Sequence, residues 1–234
     1  MAREVYHKDP RNEYEIEYMD KNNTLAQKTE IYDKEDAAGT LSEIKYLQFG
    51  DVFVNTKNKE KGLDSLKQQY YILKAADAFK KAYAKNNQNA IAAFNVGVIY
   101  YNIYGEYDDK YAANIRTMQG LNANKPVEKD PKKKAAADAK YKEQTEPLKN
   151  ANAAIEKPLM GNLDTSIEWL EKSYAILKNK TTRTNTEKSV INKTVDFLAN
   201  LYTYKRDRVR SKDMKAFDAY EAKFKEFDAL HAKY

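Results

Sequence analysis

Three stretches of this chain carry one arrangement: an apolar residue, two intervening positions, an apolar residue followed by a small one, two more positions, then an aromatic. They are Tyr46-xx-Phe49-Gly50-xx-Phe53, Ala93-xx-Val96-Gly97-xx-Tyr100 and Val195-xx-Leu198-Ala199-xx-Tyr202. Residues three, four and seven apart lie on one face of an α-helix, and the small member leaves room for a second helix to approach closely. A second pattern follows the first two, as Ala75-xxx-Phe79-xx-Ala82 and Ser166-xxx-Leu170-xx-Ser173. A third copy starts at Ala216 and Tyr220, where Lys223 takes the last small position. Such alternation demands helices packed in pairs. No segment sustains the period of two that a half-buried strand needs. Seven Gly and five Pro are too few for the many tight turns of a β-sandwich.

Helix starts reinforce this reading. Thr40-Leu-Ser-Glu43, Thr165-Ser-Ile-Glu168 and Thr184-Asn-Thr-Glu187 fit the capping box, in which hydroxyl and carboxylate satisfy reciprocal backbone donors. Asp64 or Ser65, Asn89 and Ser211 are candidate single caps. The spacing predicts helices near 41–56, 65–84, 90–104, 132–145, 148–157, 165–178, 186–204 and 212–231.

Two regions fit the pattern poorly. Residues 1–39 have few apolar positions and read as a weakly structured arm or a short helix built on Tyr14, Ile16, Tyr18 and Met19. The segment 105–163 holds four of the five prolines and a Lys/Ala run of high helix propensity with little apolar surface. It reads as a long insertion, a surface excursion with helical pieces between two helices that belong together. Residues 40–234 are then one helical domain, in units of about 43–89, 90–180 and 192–232.

The chemistry available is limited. There is no Cys, so disulfides, thiolate catalysis and thiolate-bound zinc are excluded. The two histidines, His7 and His231, stand at opposite ends; His7 reads as an exposed residue and His231 as a helix-end charge. No glycine-rich phosphate loop and no calcium-loop spacing is present, and EYDDKYAAN (106–114) lacks the glycine and terminal glutamate of the latter. Carboxylate pairs such as Asp108 with Asp109 and Glu168 with Glu171 read as solvated helix charges. No catalytic constellation, metal site or cofactor is expected. No apolar run approaches the ~20 residues that span a bilayer. The polar N-terminus has no apolar leader core, which leaves a cytoplasmic location open, and equally a periplasmic or cell-envelope one after removal of a leader.

Net charge is +6, from 41 Lys and Arg against 35 Asp and Glu, and the excess is local. Residues 124–142 hold seven Lys against three acids, and 205–215 hold six basic residues against two. Lys132, Lys133, Lys134, Arg206, Arg208 and Arg210 are therefore candidates for an anion patch. Lys outnumbers Arg heavily, and Arg is the better fork for phosphates and base edges, so nucleic acid is not the expected partner. Tyr100, Tyr101, Tyr104, Tyr107 and Tyr111 cluster at the exit of the helix expected over 90–104. Beyond Tyr100 they either cover the insertion or offer amphipathic contacts to a ligand. Trp169 reads as a packing residue rather than a carbohydrate platform.

The paired patterns resemble the tetratricopeptide repeat, whose first helix carries W-xx-LG-xx-Y and whose second carries A-xxx-F. The best match is AAFNVGVIYYN (92–102), with Gly97 and Tyr100 on the most recognisable positions. The resemblance covers roughly 41–232 in three irregular units; from the first helix's aromatic to the second helix's small residue the steps are 22, 66 and 14. It implies a right-handed stack of antiparallel helix pairs with an extended concave face. It further implies a non-enzymatic scaffold or adaptor that binds a peptide or protein segment on the first-helix surface. By position, Asp51, Phe94, Asn95, Val98, Tyr101 and Asn200 face that surface, with Val54, Asp196 and Thr203 beside them. Two other classes stay open: a binder of anionic surfaces or nucleic acid through the basic patches, and a small-ligand (for example sugar-binding) helical accessory protein.

Overall fold

A computed structural model describes residues 23–56, 62–231 and 233–234. The described residues form helices α1 (Leu25–Ala37), α2 (Glu43–Val54), α3 (Ser65–Lys85), α4 (Ala90–Ala123), α5 (Pro131–Lys178), α6 (Asn185–Val209) and α7 (Met214–Asp228), with no strand among them. The fold is all-α. The chain divides into two units, one comprising Met1–Val96 with Trp169–Tyr234 and the other Gly97–Glu168.

The helix starts follow from side-chain chemistry. Thr184 and Glu187 form the expected capping box, while Asp64 accepts from the Lys67 amide and Asn89 from the Ala92 amide. Three assignments are corrected. Ser42, not Thr40, caps α2 and accepts from the Lys45 amide; the Thr40 hydroxyl instead donates to the Glu35 carbonyl. Asp213, not Ser211, caps α7. Thr165 caps nothing, because it lies inside α5 and donates to the Gly161 carbonyl. A box in the sequence is silent where the helix is already running.

The first unit is held by aromatic and small residues from successive helices. Tyr32 of α1, 1% exposed, meets Tyr46, Phe49 and Phe53 of α2 edge-on, with ring centroids 5.1–6.3 Å apart. Phe79 and alanines 75, 76, 78 and 82 of α3 are buried as well, Phe79 lying against Gly50 of α2. Farther along, the Ser173 hydroxyl of α5 donates to the Ala90 carbonyl of α4 at 2.9 Å, and both residues are buried. Phe227 of α7 stacks on Tyr202 of α6 at 5.8 Å and meets Tyr174 of α5 edge-on at 5.3 Å. Residues 25–37, expected within a weakly structured arm, thus form a helix with a core tyrosine. Gly39, in left-handed conformation at φ 68°, ends α1 as the Thr40 amide turns back to the Glu35 carbonyl. The helix suggested by Tyr14, Ile16, Tyr18 and Met19 lies outside the described residues, as does His7.

The second unit is an antiparallel helical hairpin. The Ser166 hydroxyl donates to the Gly97 carbonyl, the Asn152 amide to the Tyr111 carbonyl, and Lys125 pairs with Asp138. The 14 residues from Gly97 to Tyr111 along α4 are matched by 14 from Ser166 back to Asn152 along α5, and Lys125, just past the end of α4, keeps the same step to Asp138. Fourteen residues are two heptads, so one face of each helix stays turned to the other. Leu159 and Leu163 are fully buried in this unit, and Thr145 and Asn152 are its buried polar residues in the stretch nearer the turn.

The separate helical pieces expected within 105–163 are corrected: the segment lies in a unit of its own, built on two continuous helices. Helix α4 runs past position 104 to Ala123, and α5 is one helix of 48 residues with Pro147 and Pro158 inside it. A proline within a helix removes the donor to the carbonyl four residues earlier. Here those carbonyls belong to Glu143 and Ala154, both exposed residues, so the missing donors fall on the solvent side of the helix rather than in the core.

Candidate functional site

The face assigned to the first helices of the pairs starts from α4 and α6. Phe94 on α4 stacks on Phe197 of α6, centroids 6.3 Å apart and planes 28° from parallel. Both rings are half-buried. Phe94 also rests on the core cluster of Ala90, Leu177, Val190 and Ile191. It therefore packs between helices on its inner side and remains accessible on its outer side. Asn95, beside it, is half-buried, and Asn200, one turn beyond Phe197 on α6, is exposed. Asp196 accepts from His231 Nδ1 at 2.6 Å, so the residue expected to serve a helix dipole ties the chain after α7 to α6.

The other candidates are placed one by one. Asp51 is exposed on α2, in the same unit. Val98 and Tyr101 are half-buried and belong to the second unit, where Tyr101 meets Tyr104 edge-on at 6.0 Å. The tyrosines from 100 to 111 do not gather at a helix exit, because α4 continues through them. Trp169 packs edge-on against Tyr83 at 5.2 Å, and Lys172 Nζ sits 4.1 Å from the indole centroid. A packing role accounts for it.

The basic residues separate into two kinds. Arg206 donates to Asp207 and Glu221 and lies 5.0 Å over the Phe224 ring. Arg210 pairs with Asp207, and Arg208 lies on the Tyr204 ring and donates to its hydroxyl. These hydrogen bonds hold Arg206 above its ordinary pKa, led by the contact with Asp207, and the Arg206 contact in turn holds Asp207 below the carboxylate range. Their charge is largely met inside the protein. Lys132, Lys133 and Lys134 are exposed at the start of α5, where the Asp130 carboxylate accepts from the Lys132 and Lys133 amides.

Charged contacts that sequence reading missed fasten α1. Lys74 of α3 has a side chain only 13% exposed, and it pairs with Asp33 of α1. Its ammonium lies 5.1–5.8 Å from the rings of Tyr32, Phe53 and Tyr70. Lys81 bridges Asp36 of α1 and Asp77 of its own helix at 2.6 and 2.7 Å. The signal was the acidic run Asp33-Lys-Glu-Asp36, which only the placement of α1 against α3 turns into pairs.

Among the described residues no group of three His, Asp or Glu could hold a metal ion. No described helix is long and apolar enough to cross a membrane. Comparison with protein-family models, with curated proteins and with solved structures returns no match.

Proposed function

We propose that this protein is a non-enzymatic interaction scaffold, a degenerate tetratricopeptide-like stack that captures an extended peptide or protein segment on its first-helix face. The observation that carries the reading is the Phe94–Phe197 stack, which sets two first helices, α4 and α6, side by side. Its complement is the contact of second helices, Tyr83 of α3 with Trp169 of α5 and Tyr174 of α5 with Phe227 of α7. First helix beside first helix and second beside second is the order of a helix-pair solenoid. Gly50 facing Phe79 supplies the tight crossing within the first pair. On the accessible side, a half-buried aromatic pair flanked by Asn95 and Asn200 offers an apolar seat with amide groups for a peptide backbone.

The test is selection from a random peptide display library, followed by titration of the chosen peptides. Replacing Asn95 and Asn200 together by Ala is expected to weaken binding at least tenfold, about 1.4 kcal/mol, with melting unchanged. Binding indifferent to the asparagines but abolished by neutralising Lys132, Lys133 and Lys134 would instead mark an electrostatic surface binder.

A further inference from the structure

The second unit has a groove that the first-helix face does not use. It is an open trough of about 310 Å³ between the two helices of the hairpin. Tyr111, Ile115 and Met118 line it from α4, and Lys149, Asn152, Ala153 and Glu156 from α5. The α4 residues follow the 4,3 spacing of a helix-packing stripe, and all three are only half-buried. A two-helix hairpin cannot enclose such a stripe by itself, so one flank of its seam stays open to water.

The charges beside the trough indicate what closes it. Lys149 and Glu156 stand on the same face of α5, two turns apart, with Asn152 and Ala153 midway between them. A two-fold axis through that midpoint, perpendicular to the helix, lays α5 of a second copy antiparallel on the first. Position 149 of one copy then lies opposite position 156 of the other, twice over, so each lysine meets a glutamate. In the parallel orientation like charges meet instead. Ala153, exposed and small, lies at the crossing, where two helices must come closest. The surface is complementary to itself in one orientation, as an isologous interface requires.

We propose that the hairpin of residues 97–168 is a homodimerisation element, with two copies closing the Tyr111–Ile115–Met118 trough as an antiparallel four-helix bundle. Apolar burial supplies the affinity, and the Lys149–Glu156 pairs set the orientation. This association is independent of peptide capture on the first-helix face.

The experiment uses the full chain in sedimentation velocity across a wide concentration range, with circular dichroism as the folding control. The wild type is expected to show a reversible monomer–dimer equilibrium. Lys149→Glu alone and Glu156→Lys alone each place like charges opposite one another and weaken the dimer at least tenfold. The double reversal, Lys149→Glu with Glu156→Lys, restores it. Because the chain has no cysteine, Ala153→Cys adds an independent reading. Mild oxidation should cross-link it as a dimer, whereas cysteine at the exposed position of Lys133 should not respond. A chain that stays monomeric at every concentration overturns the proposal. So does a folded double reversal that fails to recover the dimer, or an Ala153→Cys variant that cross-links no better than the control.

Discussion

A methyl group added to Gly50 would sit 2.5 Å from Cε1 of Phe79, closer than packed carbon atoms approach. Phe79 is 1% exposed, so its ring has nowhere to retreat. Alanine in mid-helix normally gains ~1 kcal/mol over glycine in propensity. Overpacking a tight core costs ~1–3 kcal/mol, and the clash with a buried ring belongs at the upper end. Gly50→Ala should therefore lower the melting temperature in spite of its better propensity. Adding Phe79→Leu, which removes the clashing ring edge, should make the same Gly50→Ala change less costly or favourable. Equal effects of Gly50→Ala in the two backgrounds would show that α2 and α3 do not cross at Gly50.

That contact was legible in the sequence because it is local in kind: a small residue on one helix and a large one on the next, each at fixed spacing. The all-α class, the starts of α3, α4 and α6, and the pairing of α2 with α3 followed from the same pattern. The hairpin of 97–168 was not legible. Pro147 and Pro158 read as breaks, and only the exposure of the Glu143 and Ala154 carbonyl residues lets α5 run through them. Nor were the pairs that fasten α1, since Asp33 and Lys74 stand 41 residues apart and nothing in either segment names the other. On the candidate face, position on the helix singled out Phe94 for attention but not its stacking partner Phe197, which lies on no residue of the repeated pattern.

The turn between α4 and α5 gives a test of the hairpin. Its residues run from 124 to 130, while Lys132, Lys133 and Lys134 already belong to the first turn of α5. Proteases cut exposed, irregular backbone before helix. Lys125 precedes Pro126, a bond trypsin does not open, so the first cleavage should follow Lys129. The two fragments should co-elute on gel filtration, held by the contacts from Gly97–Ser166 to Tyr111–Asn152. First cleavage within α5 at Lys149 or Lys157 would contradict a continuous helix through the prolines.

Lys74 should matter more than a surface lysine. Its ammonium is paired with Asp33, bonded to the Tyr70 hydroxyl at 3.1 Å and set among three rings. Lys74→Met keeps most of the apolar stem and removes only the charge. Loss of a well-desolvated cation–π set and its carboxylate partner costs ~2 kcal/mol, against the 0–1 kcal/mol of an exposed pair. Hydrogen exchange of the α1 amides should quicken at least tenfold in this variant, with α6 amides unchanged. Lys188→Met, at an exposed site on α6, is the matched control. Equal exchange in α1 for both variants would deny Lys74 a fastening role.

The same elements fix how stability depends on pH. Burial pushes the Asp36 carboxyl up, but the hydrogen bonds from Lys81 and Tyr46 outweigh it and hold the group below the ordinary carboxylate range. Glu187 is likewise held down, burial being outweighed by Lys180 and Thr184. A carboxylate with a lowered folded pKa stabilises the protein above its unfolded value, near 4, and that contribution disappears as pH falls through the folded value. Tyrosines act at the other end. Burial, reinforced by Tyr234, pushes Tyr174 up to about 12. Tyr32 and Tyr202 are raised too, chiefly by burial and then by Asp77 and Glu171 respectively. A raised tyrosine favours the folded state below its unfolded pKa of ~10, and the advantage shrinks as pH climbs through the folded value. Melting temperature should therefore be flat between about pH 5 and 9, fall below that range, and fall again above pH 10. Asp36→Asn should flatten the acid limb and leave the alkaline limb intact, whereas Tyr174→Phe should flatten the alkaline limb alone. An acid limb as steep in Asp36→Asn as in the wild type would remove the Lys81–Asp36 contact from the account of how α1 is held.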